Sequence, residues 1–261
     1  MMMKHPHAPA WGMVWLLAAA LTATACRSSY QICEISGGRI AVTSAFDTAP
    51  CPEAVAILAP YKAKVDSVMT PIIGQSAQEM HARRPESLLS NLAADILKQA
   101  AESYTGRPVD LAITNMGGLR NSLPAGPIAF GNIYEIFPFQ NSLCIMQMKG
   151  EVLLRLFTQI AALGGECVSH GVRLRVSKTG RLLQATLCDE PIDPERTYTV
   201  ASIDYLAEGN DGLTAFTQAT SKECPEGLTI RQLVVDYVKS LAAKGEPVRS
   251  QLEGRIILEQ P

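Results

Sequence analysis

Tryptophan and histidine are scarce in this 261-residue chain, which holds two of the first and four of the second. Both tryptophans, Trp11 and Trp15, and two of the histidines, His5 and His7, fall within the first 25 residues, so only His81 and His170 remain beyond them. A two-metal hydrolytic centre needs clustered His, Asp and Asn ligands to hold both ions and to lower the pKa of a bridging water. Two histidines cannot build one. No two cysteines stand as C-x-x-C, which argues against zinc knuckles and redox motifs. A P-loop and a G-x-G-x-x-G fingerprint are also missing. The chain lacks an excess of either charge, with 23 Lys and Arg against 25 Asp and Glu. That balance argues against a nucleic-acid-binding surface. Past residue 25 there is no apolar run long enough to span a membrane.

What is present begins with an export signal. Lys4 is the only charge in the first 25 residues, and an apolar stretch runs from Trp11 to about Leu21. It is too short to be a lasting membrane anchor and reads as a targeting segment to set aside before fold reasoning. Ala23, Thr24 and Ala25 then precede Cys26, an arrangement that resembles a lipobox, although Ala23 stands where a Leu is usual. The resemblance implies cleavage before Cys26 and lipidation of its thiol. With Arg27 next, the expected place is the outer membrane, the chain facing the periplasm. The expected organisation is a signal peptide over 1–25, an N-terminal arm with a short hairpin and a helix over 26–70, and a domain over 71–261. Six cysteines follow Cys26, namely Cys33, Cys51, Cys144, Cys167, Cys188 and Cys224. An even count in an oxidising compartment suggests disulfides, with buried free thiols as the alternative; the pairing is not readable.

Along the chain, YQICEI and RIAVT around Gly37-Gly38 predict a hairpin. Residues 52–69 read as a helix starting at Pro52 and kinked or broken at Pro60. Leu88, Leu92, Ile96 and Leu97 give helical spacing from Ser87 to about Tyr104, stopped by Gly106 and Pro108. VDLAIT (109–114) is a buried-type strand leading into a glycine loop. A helical turn over 130–136, a strand over 142–149 and a helix over about 151–163 follow. VRLRVS and LLQATL form a hairpin across KTGR. TYTVASI is a strand, a helix covers about 229–243, and RIIL closes the chain. Strands and helices mix without strict βαβ alternation, so the fold class is α+β, a mixed β-sheet layered with helices.

Three loops carry candidate chemistry. In Asn115-Met116-Gly117-Gly118-Leu119-Arg120, Gly117 and Gly118 let the backbone approach a ligand, and Arg120 offers a fork suited to phosphate. The bland reading is a tight turn with a solvated Arg. In Phe137-Pro138-Phe139-Gln140-Asn141, an aromatic on a rigid turn can stack on a base, though such a Phe is more often core. In Asp204 to Gly212, a carboxylate at Asp211 can accept both hydroxyls of a ribose while Tyr205 stacks on a base; the alternative is turn chemistry satisfied within the loop.

Taken in order, these loops resemble the C-terminal domain of the 5′-nucleotidase family, which includes periplasmic UDP-sugar hydrolases and cell-surface ecto-5′-nucleotidases. The resemblance runs from about Pro71 to Ile257. Glu86 to Asp95 is similar to the family's E-S-x-x-x-N-L-x-x-D helix start, and Asn115 to Arg120 to its N-G-G-G-[IL]-R loop. Gly131 to Tyr134 and Pro138 to Asn141 resemble its G-D-[IV] and P-F-x-N segments. Tyr205 to Gly212 is similar to F-L-A-x-G-G-D-G. The resemblance implies that Phe139 and Tyr205 sandwich the base and that Asp211 binds the ribose hydroxyls. It places Asn115, Arg120 and Arg83 at the ribose–phosphate end, with Asn141 beside them; Arg84 is a competitor for the role of Arg83. Met116 and Asn210 replace family glycines, and Met116 threatens to crowd the loop.

Full-length members of that family carry a two-metal phosphatase domain before this one, and its motifs are absent here. The resemblance therefore implies the nucleotide-recognition half of a split 5′-nucleotidase. Its ligand is a nucleotide or nucleoside, and no cofactor is expected on this chain. Divalent metals and the attacking water would belong to a separately encoded metallophosphatase. The alternatives are a stand-alone nucleotide- or nucleoside-binding lipoprotein and a degenerate interaction domain.

Overall fold

The computed structural model describes residue 32, residues 34–46 and residues 51–259. The expected signal segment over 1–25, Cys26 and Cys33 lie outside the described residues. The chain divides into a unit that ends at Ala54 and a larger one that begins at Val55. In the first unit, residues 34–43 carry no strand and a short 3-10 turn covers Ser44–Phe46. The expected hairpin is therefore not formed in its described part. A lone two-stranded hairpin is marginal in water, and these residues are exposed, with no face to bury. Helix α1, Pro52–Met69, is continuous. The break expected at Pro60 does not occur, because the carbonyl it leaves unbonded, on Ala56, sits on an exposed turn open to water.

Beyond α1 come β1 (Ile72–Ser76), α2 (Leu88–Thr105), β2 (Leu111–Thr114) and β3 (Gly126–Ala129). Then come α3 (Phe130–Ile136), β4 (Leu143–Lys149), α4 (Gly150–Ala162) and β5 (Cys167–Val168). They are followed by β6 (Val172–Val176), β7 (Leu182–Leu187), β8 (Glu190–Pro191) and β9 (Thr197–Ile203). The short α5 (Asp204–Ala207), β10 (Ser221–Glu223), α6 (Ile230–Ala243) and β11 (Ile256–Leu258) complete the order. The main sheet runs β10-β4-β9-β2-β5 and is mixed, since β2 pairs parallel with β9 while the other pairings are antiparallel. A second sheet, β11-β6-β7-β8, joins β11 parallel to β6, and β1 pairs with β3 on its own. Helix α2 packs on β2, β4, β5 and β9, α4 on β4, β6 and β7, and α6 on β1, α2 and α3. This is the α+β arrangement of mixed sheets and helices that the sequence predicts.

Local chemistry sets the elements that hold the loops. The Ser87 hydroxyl accepts from the Ser90 N–H and the Ser90 hydroxyl from the Ser87 N–H, a reciprocal cap at the start of α2. Gly106 closes that helix in the left-handed region at φ 64°. In β6, Val172, Leu174 and Val176 are buried while Arg173 and Arg175 face out, the period of a half-buried strand. All four residues of β2 are buried, which brings the end of that strand, and the loop after it, out of the middle of the core. One disulfide, Cys144–Cys224, ties β4 to the residue after β10. Cys167 is a buried free thiol, as the alternative reading has it, whereas Cys51 and Cys188 are exposed free thiols and match neither reading.

Three residues of the E-S-x-x-x-N-L-x-x-D stretch face the C-terminal segment. Glu86 accepts the backbone N–H groups of Glu253 and Arg255. Asn91 donates to the Gln251 carbonyl at 2.9 Å. Asp95 takes both Nη atoms of Arg255, at 2.8 and 2.7 Å. Arg255 is 2% exposed and also donates to the Val168 carbonyl and to Glu253. The stretch thus works as a lock between α2, β5 and the approach to β11. His170, whose Nδ1 is 2.9 Å from Glu253 Oε2, belongs to this lock and not to the loops discussed next.

Candidate functional site

The loop after β2 turns back at once. Residues Met116–Gly118 form a 3-10 turn, with Asn115 before it in an extended conformation. A Cβ on Gly118 would lie 2.7 Å from Asn115 Oδ1, so glycine is required there for the Asn side chain to fold over the turn. Gly117 is exposed and less constrained, with 3.9 Å to its nearest neighbour. Met116 does not crowd this surface. Its side chain is buried, and its backbone N–H donates inward to Glu166. Arg120 folds toward its own loop, Nη1 lying 3.3 Å from the Gly117 carbonyl oxygen, and remains exposed.

The Phe-Pro-Phe turn separates its two rings. Phe137 is 4% exposed and belongs to the core, whereas Phe139 is 49% exposed. That difference excludes the core reading for Phe139. Phe139 and Asn141 line one narrow depression with Thr114, Asn115 and Gly118. Asn141 also anchors its segment, its carbonyl accepting the Ile230 N–H at the start of α6.

The third loop closes on the first. Asn115 Nδ2 donates to Asp211 Oδ2 at 2.6 Å, across 96 positions of sequence. The Tyr205 hydroxyl donates to Asp211 Oδ1 at 2.8 Å. This bond and the negative charge of Asp211 raise the Tyr205 hydroxyl above its ordinary pKa. Asp211 takes φ 55°, between Gly209 at 83° and Gly212 at 76°. Asn210, which replaces a family glycine, is not at positive φ; its side chain donates to the Tyr205 carbonyl. Tyr205 is 40% exposed, so a large part of its ring is open to solvent. Asn115 Oδ1 is buried without a hydrogen-bond partner among the described residues. An unpaired buried acceptor is uncommon, and it sits where the first and third loops meet.

Beneath these loops lies a pair that the sequence did not reveal. Glu166 is 2% exposed and accepts from the Met116 N–H and the Arg84 guanidinium. Burial raises the Glu166 carboxyl above the usual carboxylate value, and the Met116 N–H and Arg84 oppose that shift. Arg84 also donates to the Gly165 carbonyl at 2.7 Å. Arg84 therefore holds the underside of the glycine loop through Glu166, while its side chain stays 42% exposed. Arg83 is exposed and, among the described residues, has no ion-pair or hydrogen-bond partner. Glu166 follows two glycines in an irregular segment, and nothing in its spacing marks it. Among the described residues, no group of three or more His, Cys, Asp or Glu side chains is arranged to hold a metal ion. No helix among them is long and apolar enough to cross a membrane.

Residues 65–218 match the family model described as the 5′-nucleotidase C-terminal domain. Among curated proteins, the chain is 28% identical over 218 residues to the endonuclease YhcR of Bacillus subtilis, an alignment that covers 81% of this chain and 17% of that protein. It is 28% identical over 163 residues to protein UshA of Escherichia coli, covering 60% of this chain and 29% of the other. Among solved structures, a 5′-nucleotidase precursor from Thermus thermophilus matches with a TM-score of 0.70 at 28% identity, over 80% of this chain and 44% of that one. The chain spans less than half the length of each of these relatives.

Proposed function

The chain belongs to the family of 5′-nucleotidase C-terminal domains, and on that premise we propose that it is the nucleotide-recognition half of a split 5′-nucleotidase acting in nucleotide catabolism. The observation that carries this reading is the Asn115–Asp211–Tyr205 constellation, which joins two loops distant in sequence, together with two aromatic residues, Phe139 and Tyr205, that stay 49% and 40% exposed. In this reading Phe139 and Tyr205 stack on the base, and Asp211 accepts the ribose hydroxyls. Asn115, Asn141 and the Gly117-Gly118 backbone line the ribose, and Arg120 and Arg83 meet the phosphate. A bound donor reaching Asn115 Oδ1 would satisfy the acceptor that the protein itself leaves without a partner. Base–aromatic stacking is worth about 1–3 kcal/mol per base. Phe139→Ala and Tyr205→Ala are each expected to weaken nucleotide binding by about 5- to 100-fold, at about 1.4 kcal/mol per decade. Calorimetry in which both variants bind as wild type does would remove the clamp.

The same reading leaves the metals and the attacking water to a separately encoded metallophosphatase, with no cofactor held by this chain. It also places the chain on the periplasmic side of the outer membrane, lipidated at Cys26. Cys26→Ala is then expected to yield a precursor that is not processed at this site. Radiolabelled fatty acid attached to that variant would rule the anchor out.

A further inference from the structure

We propose that the Tyr205 hydroxyl is a specificity determinant that orients the Asp211 carboxylate for a cis-diol, so that the residue stacking on the base also sets the preference for ribo- over deoxyribonucleotides. The inference rests on the nucleotide-binding reading and concerns an atom that reading does not use. An ionised carboxylate offers about four lone-pair directions, two on each oxygen. Tyr205 fills one on Oδ1 and Asn115 fills one on Oδ2. One direction therefore stays open on each oxygen. Two adjacent acceptors on separate oxygens of one rigid group match two adjacent hydroxyls of a ribose.

The hydroxyl is not needed to build the loop. The Tyr205 N–H is held by Asp204 Oδ1 at 2.7 Å, its carbonyl by Asn210 Nδ2 at 2.8 Å, and the Gly209 N–H bonds the Leu206 carbonyl at 2.8 Å. The turn at Asp211 is set by positive φ at Gly209, Asp211 and Gly212. What the hydroxyl adds is a second restraint on the carboxylate. Asn115 alone fixes one oxygen and leaves the group free to rotate about that contact. With both bonds made, the plane is fixed before a ligand arrives, and such preorganisation lowers the cost of binding. The F-L-A-x-G-G-D-G pattern has phenylalanine at this position, so Tyr205→Phe keeps the ring and removes only the restraint.

The test is calorimetric titration of the full chain in detergent with AMP, UMP and their 2′-deoxy counterparts, for wild type and Tyr205→Phe. A charge-assisted hydrogen bond is the interaction removed, so the variant is expected to bind the preferred ribonucleotide about 5- to 10-fold more weakly. Its affinity for the deoxy form should change less than about twofold, since one of the two diol contacts is already missing there. Equal losses for both forms would overturn the inference, because the hydroxyl would then serve the loop or the stack alone. Tighter ribonucleotide binding by the variant would also overturn it, showing that the hydroxyl competes with the ligand. A wild type that binds nucleotides without ribose preference sinks this inference and leaves the nucleotide-binding reading standing. A wild type that binds none of them sinks both.

Discussion

Arg255→Met is expected to lower the thermal midpoint of the larger unit by roughly 6–20 °C, the consequence of losing about 3–5 kcal/mol when one partner of a buried ion pair is removed. The side chain is 2% exposed and carries five donors, four of them onto the acceptors named next, of which Asp95 is 40% exposed. Two go to Asp95, one to Glu253 and one to the Val168 carbonyl. Methionine fills much of the same volume but leaves those acceptors facing an apolar chain. The cost should also depend on pH. Burial by itself raises the Glu253 carboxyl. Hydrogen bonds with His170 and Gln251, together with the charge and hydrogen bond of Arg255, outweigh burial and hold it at about 2, below the ordinary 4.5. A depressed carboxylate contributes stability that is present above its unfolded value and lost as pH falls through its folded value. The gap between wild type and variant is therefore expected to be full above pH 4.5 and to narrow as pH falls toward 2. Urea melts at a series of pH values would check this. A gap that does not change with pH would mean that Glu253 is not held by Arg255.

Much of this fold is legible in the sequence where a segment is long enough to show a period. Of the positions whose spacing predicts α2, Leu92, Ile96 and Leu97 are buried and Leu88 is half-buried, and Val152, Leu156 and Ile160 are buried along α4. The KTGR hairpin is legible because β6 alternates cleanly. The strands the sequence does not show, β3, β5, β8 and β10, span two to four residues each and, unlike the equally short β2 and β11, lie in no longer apolar run. A run of that length carries no measurable period, and its pairing is decided by neighbours far along the chain. The site divides in the same way. Asn115, Phe139, Tyr205 and Asp211 stand in loops whose order is recognisable, and the structure brings Asn115 to Asp211 and Asp211 to Tyr205. Glu166 and its partner Arg84 stay hidden because an ion pair is a relation between positions 82 apart, and neither residue is unusual alone. The Glu86, Asn91 and Asp95 pattern is visible in sequence, yet that these side chains hold the C-terminal segment can be seen only once that segment is placed beside α2.

On the proposed division of labour, the purified chain is expected to hydrolyse neither AMP nor UDP-sugars, with or without added zinc, manganese or magnesium, and to confer nucleotide selectivity once its metallophosphatase is added. Hydrolysis of a phosphate ester needs a hydroxide generated near neutral pH and neutralisation of charge on the transferring phosphoryl group. Arg83 and Arg120, both exposed, can contribute to the second requirement. Neither can supply the first, and each of the two histidines past residue 25 is paired with a carboxylate. His81 sits beside Glu79, and His170 beside Glu253. Mixing the two proteins should therefore raise nucleotidase turnover at least about tenfold over either alone, since each decade requires only about 1.4 kcal/mol of added ground-to-transition-state discrimination. The gain should be confined to nucleotides, because aryl phosphates offer neither a base to stack between Phe139 and Tyr205 nor a diol for Asp211. Arg120→Ala and Asp211→Ala are expected to remove the nucleotide-specific gain while aryl phosphate turnover persists, which separates lost recognition from a damaged catalyst. The opposite outcome is equally concrete. A metal-dependent nucleotidase activity that co-purifies with this chain alone, and disappears when His81 or His170 is replaced, would place the chemistry on this protein and end the split-enzyme reading.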